Sequence, residues 1–84
     1  MGNSLTVFVE LPARNSTTDF KPILFNVDSI VTIDPVHDSE GAGAFIETTN
    51  GVSTIYRINV PYHHLVAYLD SLSYVCVYRY PEST

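Results

Sequence analysis

Cysteine occurs once in this 84-residue chain, at Cys76. No disulfide can form within the chain, and a cysteine-rich zinc site is excluded. One thiol fits a reducing compartment. Positive charge is almost as scarce, with Arg14, Lys21, Arg57 and Arg79 scattered along the sequence. Grip on a phosphate backbone normally needs a clustered basic surface, so direct nucleic-acid binding is not expected. No apolar run approaches the ~18–20 residues of a membrane span. No basic segment followed by an apolar stretch opens the chain, so a signal peptide is not expected either. The expectation is a cytoplasmic protein with no membrane contact.

Charge of both signs is low, at 15% of residues, while hydrophobic residues make up 45%. Disorder needs the reverse balance, and a chain this short builds a single core. Residues 1–84 are therefore expected to form one domain. Nine acidic side chains outnumber four basic ones, and Asp28, Asp34, Asp38, Glu40 and Glu47 cluster within one stretch. Such a balance suits a partner with a basic surface.

Periodicity places the elements. Leu5, Val7, Val9 and Leu11 alternate with Thr6, Phe8 and Glu10, as in a half-buried strand, which Pro12 should end. Ala13–Asp19 reads as a loop. Two apolar runs, Ile23–Val27 and Ile30–Ile33, flank Asn26, Asp28 and Ser29, whose side chains favour a tight bend. Pro35 should end the second run, leaving Val36–Gly43 as a long acidic loop.

Asn50-Gly51 between two β-prone runs predicts a hairpin with a two-residue type I′ turn. Thr49 would then face Val52, and Phe45 would pair with Tyr56. Phe45, Val52, Tyr56 and Ile58 would share one face, with Ile46 and Ile55 on the other. Leu65, Leu69 and Leu72 recur at helical spacing and predict a helix over Pro61–Leu72, with Asn59 as its N-cap. Tyr74–Tyr80 reads as a last strand. The expected fold is α+β: an antiparallel sheet of five to six short strands with one helix, about 61–72, packed on it.

Asn26, Asp28, Ile30 and Ile33, followed by Thr48, Asn50 and Gly51, form the pattern strand, N-x-D-x-I-x-x-I, strand, T-x-N-G, strand, helix. Over about residues 21–72 this resembles the flagellar FlbD-type family and similar small β-rich proteins of phages and bacteria. The resemblance implies an accessory or regulatory protein and carries over no enzymatic role. Three departures stand out: the Ala13–Phe20 segment, the long Val36–Gly43 stretch and the added Tyr74–Tyr80 segment.

Chemistry-bearing residues do not assemble into a catalytic set. His63 and His64 are neighbours and diverge on a helix, whereas a helical metal pair wants i, i+4 spacing. Asp34, His37, Asp38 and Glu40 lie close in sequence but do not match a calcium loop. Glu40-Gly-Ala-Gly-Ala44 lacks the lysine and helix of a phosphate loop. Cys76, between two valines, has no neighbouring base. Met1–Thr6 fits a myristoylation pattern and Asn15–Thr17 a glycosylation sequon; both are read as coincidental. No enzyme activity, cofactor or metal is expected.

Six tyrosines, four of them between Tyr68 and Tyr80, favour an interface, because Tyr buries much area at small entropic cost. The expected function is a non-enzymatic protein-interaction module, accessory or regulatory, of the kind phages direct against host proteins. A homo-oligomer, most simply a dimer joined through edge strands, is expected alongside. The expected contact residues are Asp34, His37, Asp38, Glu40, Tyr74, Tyr78 and Tyr80. Reversing Asp38 and Glu40 to Lys should then weaken capture without lowering the melting temperature. The alternative is an oligomer that binds or sequesters a nucleotide, with Tyr56 stacking a base while Arg57 and Arg79 meet phosphates.

Overall fold

A computed structural model describes residues 6–39, 41–72 and 75. Strand β1 spans Phe8–Arg14 and β2 spans Lys21–Asn26. One 3-10 turn, Val27–Ser29, leads into β3, Ile30–Asp38. Strand β4 covers Gly41–Thr49 and β5 Ser53–Ile58, and helix α1 covers Tyr62–Asp70. The strands form one antiparallel sheet in the order β2-β1-β5-β4-β3. The fold is α+β, as its periodicities predict. The strand expected at Tyr74–Tyr80 lies outside the described residues.

The two edge strands, β2 and β3, are consecutive in the chain. In a flat five-stranded sheet they would stand roughly 19 Å apart, at about 4.8 Å per strand. A single 3-10 turn advances only about 6 Å over three residues. The sheet must therefore curl until its edges approach. Asn26 shapes the link, since its Oδ1 accepts the Asp28 amide at 2.9 Å.

The concave face holds the core. Val9, Leu11 and Ala13 of β1 alternate inward, with Phe25 of β2, Ala44 and Ile46 of β4 and Ile58 of β5. Leu65 and Leu69 of α1 close over them, with α1 lying against β3 and β4. Ile30 and Ile33 pack at the margin. The Leu65/Leu69 spacing thus buries one stripe of the helix, while His63, His64 and Tyr68 stay exposed.

Four local expectations are corrected. Pro12 does not end β1 but sits opposite Pro22. Two prolines can face each other only at a pair that exchanges no hydrogen bond, because neither has an N–H to give. Pro35 likewise lies within β3, an edge strand, where every second N–H points away from the sheet and its loss breaks no ladder bond. The expected Val36–Gly43 loop is therefore a β-hairpin, with Asp38 paired to Gly41. Asn59 does not cap α1: Pro61 holds the N-cap position, and the Asn59 amide instead donates to the Pro12 carbonyl at 2.9 Å.

The fourth correction concerns the β4–β5 turn. Thr49 pairs with Ser53, so three residues, Asn50, Gly51 and Val52, make the turn. A type I′ turn needs positive φ at both central residues. Only Gly51 has it, at 86°, and no non-glycine residue among those described does. The register moves by one residue, and every side chain of one strand changes its neighbours. Ile46 now faces Tyr56 on the core side, and Phe45 faces Arg57 on the other.

Candidate functional site

Alternation along the strands assigns the convex face. Phe8, Glu10 and Arg14 of β1, Leu24 of β2, Ile55 and Arg57 of β5, Phe45 and Glu47 of β4, and Asp34 and Asp38 of β3 point outward. The helix lies on the opposite face, and among the described residues no element packs over this one. Large apolar side chains remain in solvent there: Phe8 is 55% exposed, Leu24 61% and Ile55 55%. Phe45 is also exposed. Carboxylates of Glu10, Asp34 and Glu47 are interspersed among them. Glu47 is held by the Thr32 and Ser53 hydroxyls, which donate to its Oε1 and Oε2.

Arg57 is the buried charge of this face, its side chain only 9% exposed. It reaches from β5 across β4 to β3, where Nη1 donates to Asp38 Oδ2 at 2.6 Å and Nη2 to Asp38 Oδ1 at 3.3 Å. Nη2 also donates to the Gly41 carbonyl at 3.3 Å. The guanidinium passes directly over Gly43: a Cβ there would lie 2.8 Å from Arg57 Nε and 3.0 Å from both Nη2 and the Ile58 carbonyl. Glycine is required because the long side chain crosses the strand at backbone height. The Phe45 ring lies 5.8 Å from the guanidinium carbon. Across the β1–β5 seam, Arg14 sits beside Arg57, with its guanidinium over the Phe20 ring at 4.4 Å and Nη1 donating to the Thr18 carbonyl.

These positions redistribute the residues singled out from the sequence. Asp34 is exposed on the convex face. Asp38 shares that face but is bound to Arg57. His37 is exposed on the opposite face of β3, so Asp34, His37 and Asp38 do not converge. Among the described residues no three His, Cys, Asp or Glu side chains gather as metal ligands. Tyr56 and Arg57, adjacent in β5, point to opposite faces, which prevents one small ligand from meeting both on one protomer. Glu40, Tyr74, Tyr78, Arg79, Tyr80 and Cys76 lie outside the described residues. The expectation that reversing Asp38 would spare stability is corrected, because that reversal would place a cation against the buried Arg57.

Sequence reasoning did not identify Phe8 and Leu24 as surface features. Their signal was the alternation itself: with Val9 and Leu11 inward, Phe8 must point out. It did register apolar residues on both faces of the β4–β5 hairpin. The one-residue register shift changes the membership, so that Phe45 and Ile55 form the exposed pair. Among the described residues no helix is long and apolar enough to cross a membrane. Comparison with protein-family models, with curated proteins and with solved structures finds no match for this chain.

Proposed function

We propose that this is a non-enzymatic protein-interaction module that engages its partner through the convex face of the sheet. The observation that carries this reading is the exposure of two apolar pairs, Phe8 with Leu24 on β1–β2 and Phe45 with Ile55 on β4–β5, on outward strand surfaces that no described element covers. Exposed apolar patches interspersed with polar groups mark interaction surfaces. The carboxylates of Glu10, Asp34 and Glu47 favour a partner whose apolar contact is bordered by Lys or Arg. An accessory or regulatory role, including inhibition of another protein, fits a surface of this kind.

Edge pairing, the expected route to a dimer, has less support. The β2 edge carries Lys21 and Pro22, and the β3 edge carries Asp34, Pro35 and Asp38. Charge and proline at an edge are the devices that blunt strand addition. The nucleotide alternative also loses support from the separation of Tyr56 and Arg57.

Affinity capture from the native host cell tests the reading, with Leu24→Asp and Ile55→Asp compared against the parent chain. Both side chains are exposed, so each variant should melt within about 2–4 °C of the parent. Each should lose the partner that the parent retains, and Asp34→Lys should weaken capture in low salt. Undiminished recovery of the same partner by both apolar variants would remove the convex face from consideration.

A further inference from the structure

A second site lies on the concave face, at the end that α1 does not reach. Along β4 the inward residues run Ala44, Ile46, Thr48, and along β5 they run Ile58, Tyr56, Thr54. Both strands change from aliphatic to hydroxylated where the helix cover stops. The curl of the sheet brings β2 and the 3-10 turn around to face them. A cavity of about 360 Å³ results, at the small end of the range for ligand sites. Ser29, Thr48, Thr54 and Tyr56 are among its polar lining residues, with Asn26 and Asn50, and Leu24 and Phe25 are among the apolar ones.

None of its lining residues carries a charge at neutral pH, in a chain with thirteen charged side chains. A phosphate or carboxylate placed there would lose hydration without gaining a countercharge. The nearest cation in sequence, Arg57, points to the other face and is bound to Asp38. The hydrogen-bonding groups are mostly hydroxyls, each both donor and acceptor. The Asn26 Oδ1 is occupied by the Asp28 amide, so this residue offers its NH2 as a donor. The Thr48 hydroxyl donates to the Thr54 carbonyl at 3.5 Å, which leaves its oxygen lone pairs to accept. Tyr56 is steadied by Phe25, edge to face at 5.0 Å between centroids, so its hydroxyl and ring are held in place before any ligand arrives.

We propose that this cavity binds a neutral, polyhydroxylated small molecule of the sugar class. Its lining of paired donors and acceptors matches the vicinal hydroxyls of one sugar ring, and the half-buried Tyr56 ring, backed by the buried Phe25, offers apolar surface to the ring's C–H face. The site shares Leu24 with the outward face, and its test therefore uses Ser29, Thr54 and Tyr56, which lie outside the exposed apolar residues.

Amide NMR on the full chain tests the proposal, titrating glucose, galactose, N-acetylglucosamine, adenosine and AMP separately. The expected result is a saturable shift of the Ser29, Thr48, Thr54 and Tyr56 amides with at least one neutral sugar. Thr54→Val and Tyr56→Phe should each weaken that Kd about threefold to tenfold, the effect of removing one neutral hydrogen bond. Ser29→Ala provides a third variant should either of those fail to give a folded spectrum. The proposal is overturned if no sugar gives a saturable response, if the shifts map elsewhere, if adenosine or AMP binds more tightly than every sugar, or if the variants leave Kd unchanged.

Discussion

Asp38→Asn probes the most constrained interaction in the molecule. The substitution keeps the shape of the side chain and removes its charge. Two guanidinium hydrogen bonds, at 2.6 and 3.3 Å, lose their anionic acceptor. The Coulomb attraction of unit charges about 4 Å apart is roughly 4 kcal/mol at the effective dielectric of a protein surface. Solvent discounts it here, because the Asp38 side chain is 44% exposed although that of Arg57 is only 9% exposed. Hydrogen bonds to charged groups are worth about 1.5–3 kcal/mol, so a loss of about 2 kcal/mol is expected. For a domain of this size that lowers Tm by roughly 8–16 °C, readable by circular dichroism or calorimetry. Much of the loss comes from leaving Arg57 buried without its anion. In an Arg57→Leu background, Asp38→Asn should therefore cost well under half as much. A Tm within about 3 °C of the parent, or additive effects in the double-mutant cycle, would refute this account of Arg57.

Two glycines give further tests by thermal melting. Gly43→Ala puts a methyl group 3.0 Å from the Ile58 carbonyl as well as against the Arg57 guanidinium; backbone cannot retreat as a side chain can, so about 1–3 kcal/mol should be lost, and less in the Arg57→Leu background. Gly51→Ala meets no neighbouring atom but must hold φ near 86°, so about 1–2 kcal/mol of backbone strain is expected with no clash. An unchanged Tm in the second case would mean that the turn relaxes to a different conformation.

The parts of the fold that depend on one segment at a time were legible in the sequence. Val9 and Leu11 announce the buried face of β1, and Leu65 and Leu69 announce the buried stripe of α1. Legibility ended where the decisive fact belonged to a neighbouring strand. Proline advertises its missing N–H but not the direction in which that N–H would have pointed, so Pro12 and Pro35 read as terminators although they occupy strands. Asn50-Gly51 marks a turn, yet whether it has two residues or three depends on which face of each strand the core claims. The Arg57–Asp38 pair lies further beyond reach. It joins β5 to β3 over β4 and needs two registers and a glycine at position 43 to agree. The sugar-class cavity has the same origin: Ile23 and Asn26 of β2 meet Thr48 of β4 only because the sheet curls.

The β1–β5 seam has a consequence for how the chain reaches its structure. β1 and β2 are joined by a short connection, as are β3, β4 and β5, so these two groups can form from local contacts. The seam between them rests on Ala13–Ile58 and Arg14–Arg57, supported by the Asn59–Pro12 hydrogen bond. It joins residues about 45 positions apart in the chain. Loop-closure entropy is spent on few backbone bonds, and contacts of such long range slow folding. Closure of this seam should be a late event in folding. It should also be the first event in opening, so that the amides of Arg14, Arg57 and Asn59 exchange with solvent sooner than those within the β3–β4 ladder.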